Sequence, residues 1–151
     1  MTAPTDDQIA ALGAALETFS RRYKLTDTGG GERPLAEVDR QTLFFIKKHP
    51  DCGPTDVARF LGVAMTTMSS ATDRLAKRGL LERHRPEDDR RAVALRLSET
   101  GKQYVSIQEQ AYHDMFLLML NRLSVDERGA FITMIQKIAF TEVNNTNIVI
   151  S

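Results

Sequence analysis

Residues 54–97 constrain the fold of this chain most, because two short helical patterns are joined by a glycine and followed by a change of hydrophobic period. Thr55 stands at the predicted N-cap of the first helix, which is about two turns long. Its apolar contacts come from Val57, Ala58, Phe60 and Leu61. Gly62 follows where a helix ends in a left-handed residue. With Val63 and Met68 after it, this spacing is typical of a helix-turn-helix.

The second helix, predicted over residues 65–78, has two chemically different faces. Its apolar face consists of Met68, Ala71, Thr72 and Leu75. The opposite face carries short hydroxyl side chains near the start of the helix and charged ones near the end: Thr66, Thr67, Ser69, Ser70, Asp73, Arg74, Lys77 and Arg78. Polar side chains at the start of such a helix are suited to base edges in the major groove of DNA.

After Gly79 the period becomes that of a β-hairpin, with strands predicted over residues 80–85 and 93–97 and a polar turn over residues 86–89. The hairpin is rich in basic side chains: Arg83, His84, Arg85, Arg90, Arg91 and Arg96. This number of cations favours a polyanionic partner. A hairpin that is simply solvated is the alternative.

The charge distribution agrees with a nucleic-acid partner although the formal net charge is zero. Residues 40–102 hold 13 Lys or Arg against 8 Asp or Glu; since the whole chain has 20 of each, the flanks hold 7 against 12. The middle is therefore basic and the ends are acidic. Ordinary uneven surface charge is the competing interpretation.

Length and composition predict one soluble domain. The chain has 151 residues, of which 42% are hydrophobic and 26% charged, which fits a single core. It has no apolar run long enough for a membrane span and no signal-peptide pattern, so we expect a cytoplasmic protein. The single cysteine, Cys52, excludes an internal disulfide framework.

Helices are predicted on both sides of this unit. Thr5 and Gln8 form a capping-box pattern before an apolar stripe at Ile9, Leu12, Leu16, Phe19 and Tyr23. The spacing suits packing along another helix, from this chain or a second copy.

Residues 29–31 are three glycines and predict a turn. A second helix is predicted over residues 35–49, with Leu35, Val38, Leu43 and Ile46 on one side and Phe44 and Phe45 beside them.

Two more helices are predicted after the hairpin. The longest starts at Ser98 and Glu99 and runs to about residue 123. Residues 115–120 are apolar on all sides, so we expect this segment to be buried on several sides. Ser124 and Glu127 form a second capping box before the last helix, which ends near residue 143. Its stripe consists of Phe131, Met134, Ile135 and Ile138.

Two motifs at the correct separation make the chain resemble the MarR family of winged helix-turn-helix transcription regulators. They lie in LGVAMTTMSSATDRLAKRGLLERHRPEDDRRAVALRLSETG, residues 61–101. One corresponds to the family pattern RLxxRGLL at the end of the second helix, and the other to DRRxxxxxLTxxG in the wing. The order of helices extends the resemblance over residues 6–143.

The resemblance implies a mainly α fold with a small β-hairpin wing, an α+β arrangement. Residues 35–98 would form the winged helix-turn-helix lobe, residues 6–34 and 99–143 a helical dimerisation region, and residues 144–151 a tail. A homodimer is implied whose interface includes Ile9, Leu12, Leu16, Phe19, Phe131, Ile135 and Ile138. Such dimers bind palindromic operators on double-stranded DNA, usually as repressors, and many are released by a small aromatic or anionic effector.

Within this arrangement, the residues expected to read bases are Thr66, Thr67, Ser69 and Ser70, and Arg74 would contact a base or a phosphate. Arg91, with Arg90 beside it, would enter the minor groove, and Asp89 would orient one of these arginines by a charge-assisted hydrogen bond. Lys77, Arg78 and Arg85 are expected to meet phosphate or to stay solvated. The effector cleft of the family is lined by its first, second and fifth helices, where Phe45, His49 and Tyr112 are the candidates, although each is also suited to a core.

The chain departs from the family pattern in three respects. The family commonly has Ser or Thr before the recognition helix and Thr-Arg in its first turn, whereas this chain has Ala64 and then Ser69 and Ser70. One cation is therefore missing from the base-reading turn. The oxidant-sensing branch has a cysteine in the first helix, and this chain has none there.

Other classes of function are weaker. His49, His84 and His113 are scattered and show no spacing of a nucleophile and a base, so an enzyme is not expected, and no cofactor or resident metal is predicted. His49 and Cys52 are too few ligands for a closed metal site. A thiol-based redox regulator using Cys52, and a winged helix that contacts only proteins, remain as alternatives.

Overall fold

The computed structural model of the chain describes residues 2–23, 34–89 and 91–141. It contains six helices and two strands within these ranges: α1 (Asp6–Arg22), α2 (Glu37–Lys48), α3 (Pro54–Leu61), α4 (Met65–Lys77), β1 (Leu81–His84), β2 (Ala94–Leu97), α5 (Glu99–Leu120) and α6 (Val125–Phe140). The predicted fold class, mainly helical with a small β-hairpin, is confirmed. The glycines at 29–31 and the tail at 144–151 lie outside the described residues.

The core is formed by α2, α3 and α4 with the hairpin and the first half of α5. Its largest fully buried side chains include Leu43, Ile46, Met68, Leu75 and Tyr104. All four side chains that the helical period of α4 predicts as buried are buried. This burial fixes which face of α4 points to solvent.

Glycines end both helices of the helix-turn-helix. Gly62 and Gly79 have φ angles of 68° and 71°, a left-handed conformation that glycine adopts without a Cβ penalty. After α4, Gly79 N–H donates to the carbonyl of Ala76 and Leu80 N–H to that of Leu75, both at 3.0 Å. This pair of bonds is the Schellman motif, and it turns the chain sharply from α4 into β1.

The start of α3 differs from the prediction. Gly53, not Thr55, is the N-cap, and Pro54 occupies the first helical position. Proline is favoured there because its missing N–H has no partner in a helix. The carboxylate of Asp56 accepts a hydrogen bond from Gly53 N–H at 2.9 Å, so the reciprocal half of a capping box is present without a capping side chain.

The wing has a third element that the sequence did not reveal. β1 and β2 pair in antiparallel register from Leu81 opposite Leu97 to His84 opposite Ala94. The loop after α2 adds a short bridge on the other side of β2, since Asp51 N–H donates to Leu95 O at 3.0 Å and Leu95 N–H donates to Cys52 O at 2.8 Å. The backbone of Leu95 is thus paired on both edges of β2, and its side chain is fully buried in the core.

A hydroxyl and a glycine join the wing to α5. Ser98 Oγ donates to the carbonyl of Gly79 at 2.5 Å and accepts from Gly101 N–H at 3.0 Å. A Cβ on Gly101 would lie 1.9 Å from the carbonyl oxygen of Leu80. The start of α5 therefore approaches the backbone too closely for any side chain, which explains the Ser-x-x-Gly part of the wing motif.

Two compact units are present, residues 1–112 and 113–151, and the division falls inside α5. In the first unit every residue of α1 is exposed, including its apolar stripe. In the second unit Phe116, Leu117 and Leu118 are about half exposed, so the expectation that residues 115–120 are buried on several sides is wrong for a single chain. Apolar side chains of α6 are exposed as well, notably Ile138.

Both predicted capping boxes are present. Thr5 and Gln8 exchange hydrogen bonds at the start of α1, and Ser124 and Glu127 do so at the start of α6. Hydrogen bonding to Ser124 lowers the pKa of Glu127. Among the described residues, none of the helices combines the length and apolarity that a membrane crossing requires.

Candidate nucleic-acid interface

The outer face of α4 carries the four hydroxyl residues that were predicted to read bases. Thr66, Thr67, Ser69 and Ser70 are all exposed. Ala64 is the N-cap of this helix and makes no side-chain hydrogen bond to it. The first N–H groups of α4 therefore receive no hydrogen bond from a side chain at the N-cap, and the positive end of the helix dipole lies near the hydroxyls. Such a surface favours a negatively charged or acceptor-rich partner.

A bidentate ion pair fixes α4 against α2. Arg74 Nε donates to one carboxylate oxygen of Asp39 at 3.0 Å, and Nη2 donates to the other at 2.8 Å. The Asp39 side chain is only 4% exposed, whereas that of Arg74 is 51% exposed. Arg74 was predicted to contact DNA, and part of its guanidinium still faces solvent. The Nε and Nη2 edge of the guanidinium, however, is already bonded to Asp39.

Sequence reasoning missed Asp39, although a signal was present. Asp39 shares one face of α2 with the buried residues Thr42, Leu43 and Ile46, which follow it at three, four and seven positions. A carboxylate on an otherwise buried face of a helix needs a cation or several donors nearby. The period of α2 could therefore have predicted an arginine partner from another element.

The cations of the wing are less free than the sequence implied. Arg83 on β1 pairs with Asp73 on α4 and also donates to Thr72 Oγ1 at 3.3 Å. Arg96 on β2 pairs with Asp51, and its hydrogen bond lowers the pKa of that carboxyl group. Two of the six basic residues counted in the hairpin thus join the wing to the rest of the lobe.

At the tip of the wing, Asp89 acts through the backbone. Its Oδ1 accepts a hydrogen bond from the main-chain N–H of Arg91 at 3.0 Å. The carboxylate therefore fixes the main chain of the turn at Arg91, and its role in orienting an arginine side chain stays a prediction. The Arg91 side chain is exposed. Arg90 lies outside the described residues.

The remaining basic residues predicted at the interface are also exposed. Lys77 and Arg78 lie at the C-terminal end of α4, and Arg85 follows β1. A cavity of about 400 Å³ near the end of α4 is lined by Pro34, Ala36, Asp39, Arg74, Lys77 and Arg78. The ion pair of Arg74 therefore lies in a basic concavity, and Lys77 and Arg78 are placed at its edge.

The three residues predicted for an effector site line one cavity. It has a volume of about 540 Å³ and is lined by Glu37, Arg40, Gln41, Phe44, Phe45, Lys48, His49, Phe60 and Tyr112. The ring of Phe45 contacts the rings of His49 and Phe60, with centroids 4.5 and 4.9 Å apart. Phe60, which was assigned to the core of α3, is 70% exposed and lies at this cavity instead.

Cys52 lies beside β2, at the edge of the small sheet. It bridges to Leu95 and packs against the core. Burial, followed by the nearby carboxylate of Asp56, raises the pKa of its thiol to about 11. The thiolate is the reactive form of cysteine, so this environment keeps Cys52 in its unreactive form at neutral pH.

Comparisons with known proteins agree with this architecture. Residues 39–93 match the model of the MarR family. The chain is 27% identical over 132 residues to the HTH-type transcriptional regulator YwhA of Bacillus subtilis. The aligned region covers 85% of this chain and 92% of YwhA.

Two solved structures illustrate the likeness of fold. FabT of Streptococcus pneumoniae, solved in complex with DNA, has a TM-score of 0.74 and 22% identity, covering 85% of this chain and 90% of FabT. PcaV of Streptomyces coelicolor, solved in complex with its natural ligand, has a TM-score of 0.58 and 22% identity, covering 92% and 97%. At these identities the likeness is one of fold.

Removing Arg74 tests the ion pair with Asp39. We expect Arg74→Ala to lower the free energy of unfolding by about 3 kcal/mol, because the buried carboxylate of Asp39 loses both of its bonds. Urea unfolding of the full chain, at one protein concentration, measures the loss. The matched control is Lys77→Ala, one turn later on the same exposed face, which should cost about 0.5 kcal/mol or less. Equal costs for the two variants would contradict the structural role of Arg74.

The reactivity of Cys52 tests its environment. Because the raised pKa keeps the thiol protonated, alkylation by iodoacetamide at pH 8 should be roughly 100-fold slower in the native chain than in the same chain unfolded in urea. The native rate should then rise about tenfold for each pH unit until about pH 11. Mass spectrometry of the alkylated chain measures both rates. Similar rates in the native and the unfolded chain would favour the alternative in which Cys52 is a redox switch.

Proposed function

Because residues 39–93 match the model of the MarR family, we propose that the chain is a homodimeric transcription regulator that binds a palindromic operator on double-stranded DNA. In this proposal α4 lies in the major groove, and the wing of the same lobe reaches the adjacent minor groove. The observation that carries the proposal is the exposed hydroxyl face of α4, which the burial of the opposite face and the Asp39–Arg74 pair hold toward solvent.

The distribution of charge indicates that α4 and the wing have different roles in DNA binding. The first turns of α4 offer hydroxyl groups and no arginine or lysine, so they supply discrimination between bases more than affinity. Arg91 at the tip of the wing is exposed, and its main chain is held by Asp89. An arginine presented on a fixed turn is suited to a narrow, electronegative minor groove. We therefore assign to the wing a large share of the affinity for DNA.

The dimer is proposed from apolar side chains that a single chain leaves exposed. On α1 they are Ile9, Leu12, Leu16 and Phe19, and on α6 they include Met134, Ile135 and Ile138. Phe131 on α6 is half-buried. Stripes of this kind on the outer helices mark an association surface, and a second copy of the same chain is the occupant that the family resemblance implies. Two lobes held by one dimer would meet half-sites about 10 base pairs apart.

An effector is proposed for the cavity beside α2. Its volume of about 540 Å³ is in the range of small-molecule sites. Aromatic side chains from three helices line it. Lys48 adds positive charge to the lining, whereas Arg40 is paired with Glu37, which lines the same cavity. These features favour a small aromatic acid. PcaV, which shares the fold, was solved with its natural ligand, and the cavity is where we propose that this chain binds its own. The effector would act by changing the spacing of the two lobes, and the regulator is most simply a repressor.

The DNA-binding proposal is tested by selecting bound fragments from random duplexes and measuring fluorescence anisotropy on the selected sequence. We expect a palindrome, bound with an affinity that falls steeply with salt because lysine and arginine displace counterions from phosphates. Arg91→Ala should weaken binding about tenfold or more, since it removes a contact from the narrow groove. The control is Arg22→Ala, an exposed arginine on α1, which should leave the affinity unchanged. A wing variant that binds as well as the wild type would remove the wing from the mechanism.

The dimer is tested by analytical ultracentrifugation of Leu16→Asp and Ile135→Asp. Each places a charge in an apolar stripe, and we expect a folded monomer because burying an unpaired carboxylate at an interface is costly. The control is Ala14→Asp, which lies on the opposite side of α1 from Leu16 and its neighbours. It should remain dimeric. A dimer that persists in both stripe variants would show that the copies associate through another surface.

A further inference from the structure

The first residue of α4 is an apolar side chain that lies in solvent. Met65 is 44% exposed. The other apolar side chains of this helix, all of whose residues the structure describes, are buried or half-buried: Met68, Ala71, Leu75 and Ala76. Neither the apolar face nor the polar face that the sequence predicts for α4 includes Met65.

Met65 lies at the end of α4 that is proposed to enter the major groove. It follows the exposed N-cap, Ala64, and precedes the exposed hydroxyl residues Thr66 and Thr67. Ser69 is exposed as well and lies one helical turn after Met65, on the same side of the helix. The Cα–Cβ bonds of a helix tilt toward its N-terminus. Met65 is therefore an apolar side chain among the hydroxyl groups that would meet base edges.

The hydroxyl groups around Met65 discriminate only weakly between bases. A serine or threonine hydroxyl both donates and accepts hydrogen bonds, so it can pair with different base edges. The commonest specific contact, an arginine or lysine on guanine, has no candidate in the first two turns, because the first cation of α4 is Arg74. Discrimination by these turns therefore depends on the other chemical group that they expose, the thioether side chain of Met65.

An apolar side chain in the major groove favours one base. Base edges there display hydrogen-bond donors and acceptors, and thymine adds a C5-methyl group. Covering a donor or an acceptor without pairing it costs free energy, whereas contact between two apolar groups removes both from water. Methionine is unbranched and polarisable, so it adapts to the shape of its partner. The exposed side chain of Met65 thus fits thymine better than any other base.

We propose that Met65 is a specificity-determining residue that contacts the C5-methyl group of one thymine in each operator half-site. This role rests on the proposed function, because it requires α4 to lie in the major groove. It fixes one base of the half-site through a side chain that has neither a charge nor a hydrogen-bond donor. The preference for thymine is therefore independent of salt, in contrast to the contacts of lysine and arginine with phosphates.

The test replaces the thymines of one half-site by deoxyuridine, one at a time, in the operator obtained by selection. Deoxyuridine pairs like thymine and lacks only the C5-methyl group. At one position the Kd of the full chain, measured by fluorescence anisotropy, should rise about fourfold, which corresponds to one methyl group that is no longer buried. The ratio of the two Kd values should be the same at about 50 and about 200 mM salt.

Variants of Met65 connect this preference to the side chain. Met65→Ala should bind the thymine and deoxyuridine duplexes with the same Kd, because the contact is missing in both. Met65→Leu, which keeps a large apolar side chain, should keep a preference for thymine. The matched control is Ile107→Ala, which removes an apolar side chain of similar exposure, 48%, from α5. It should show the same preference as the wild type.

The role of Met65 is overturned if none of the thymine methyl groups contributes to binding, or if Met65→Ala keeps the preference. It is also overturned if Met65→Leu loses the preference as completely as Met65→Ala, or if Ile107→Ala abolishes it. A chain that binds no duplex would contradict the proposed function itself. A chain that binds its operator without any contribution from Met65 would contradict only the role of this residue.

Discussion

The bidentate pair between Asp39 and Arg74 is the interaction on which the presentation of α4 depends. Burial of Met68, Ala71 and Leu75 sets which face of the helix turns inward, but apolar contacts are non-directional and tolerate small rotations. Two parallel N–H···O bonds from a planar guanidinium are directional. The pair therefore fixes the rotation of α4 about its axis, whereas packing alone would fix only its position. The same arginine lines the basic concavity near the end of α4. One side chain therefore both fixes the helix and contributes charge to the exposed surface.

Carboxylates of the same chain reduce the positive charge that the basic middle of the chain offers to a partner. Asp39, Asp73 and Asp51 engage Arg74, Arg83 and Arg96, and each pair joins two different elements of the lobe. Three of the 13 cations of residues 40–102 therefore already have a carboxylate partner within the lobe. Among the other described cations, Lys77 and Arg78 are exposed at the end of α4, and Arg91 is exposed at the tip of the wing.

The sequence predicted most of the fold where one period dominated. The four buried residues of α4, the left-handed Gly62 and both capping boxes follow from local rules and were all found. The failures arose where a residue depends on a distant element. The bridge between Cys52 and Leu95 joins segments more than forty positions apart, and no local pattern marks it. The site was predicted less completely for the same reason: the exposed hydroxyls of α4 were recognised, whereas the partners of Arg74, Arg83 and Arg96 come from elsewhere in the chain.

The exposed outer helices explain why the same rules failed for residues 115–120. An apolar segment needs a cover, and the sequence does not say whether the cover belongs to the same chain. α1 has 17 residues and none is buried, although isolated helices of this length are marginal in water. Its capping box and its ion pair between Glu17 and Arg21 support it only locally, because exposed pairs contribute little. In the proposed dimer the apolar stripe of α1 would form half of the interface, and the stability of this helix would depend on the second copy that covers it.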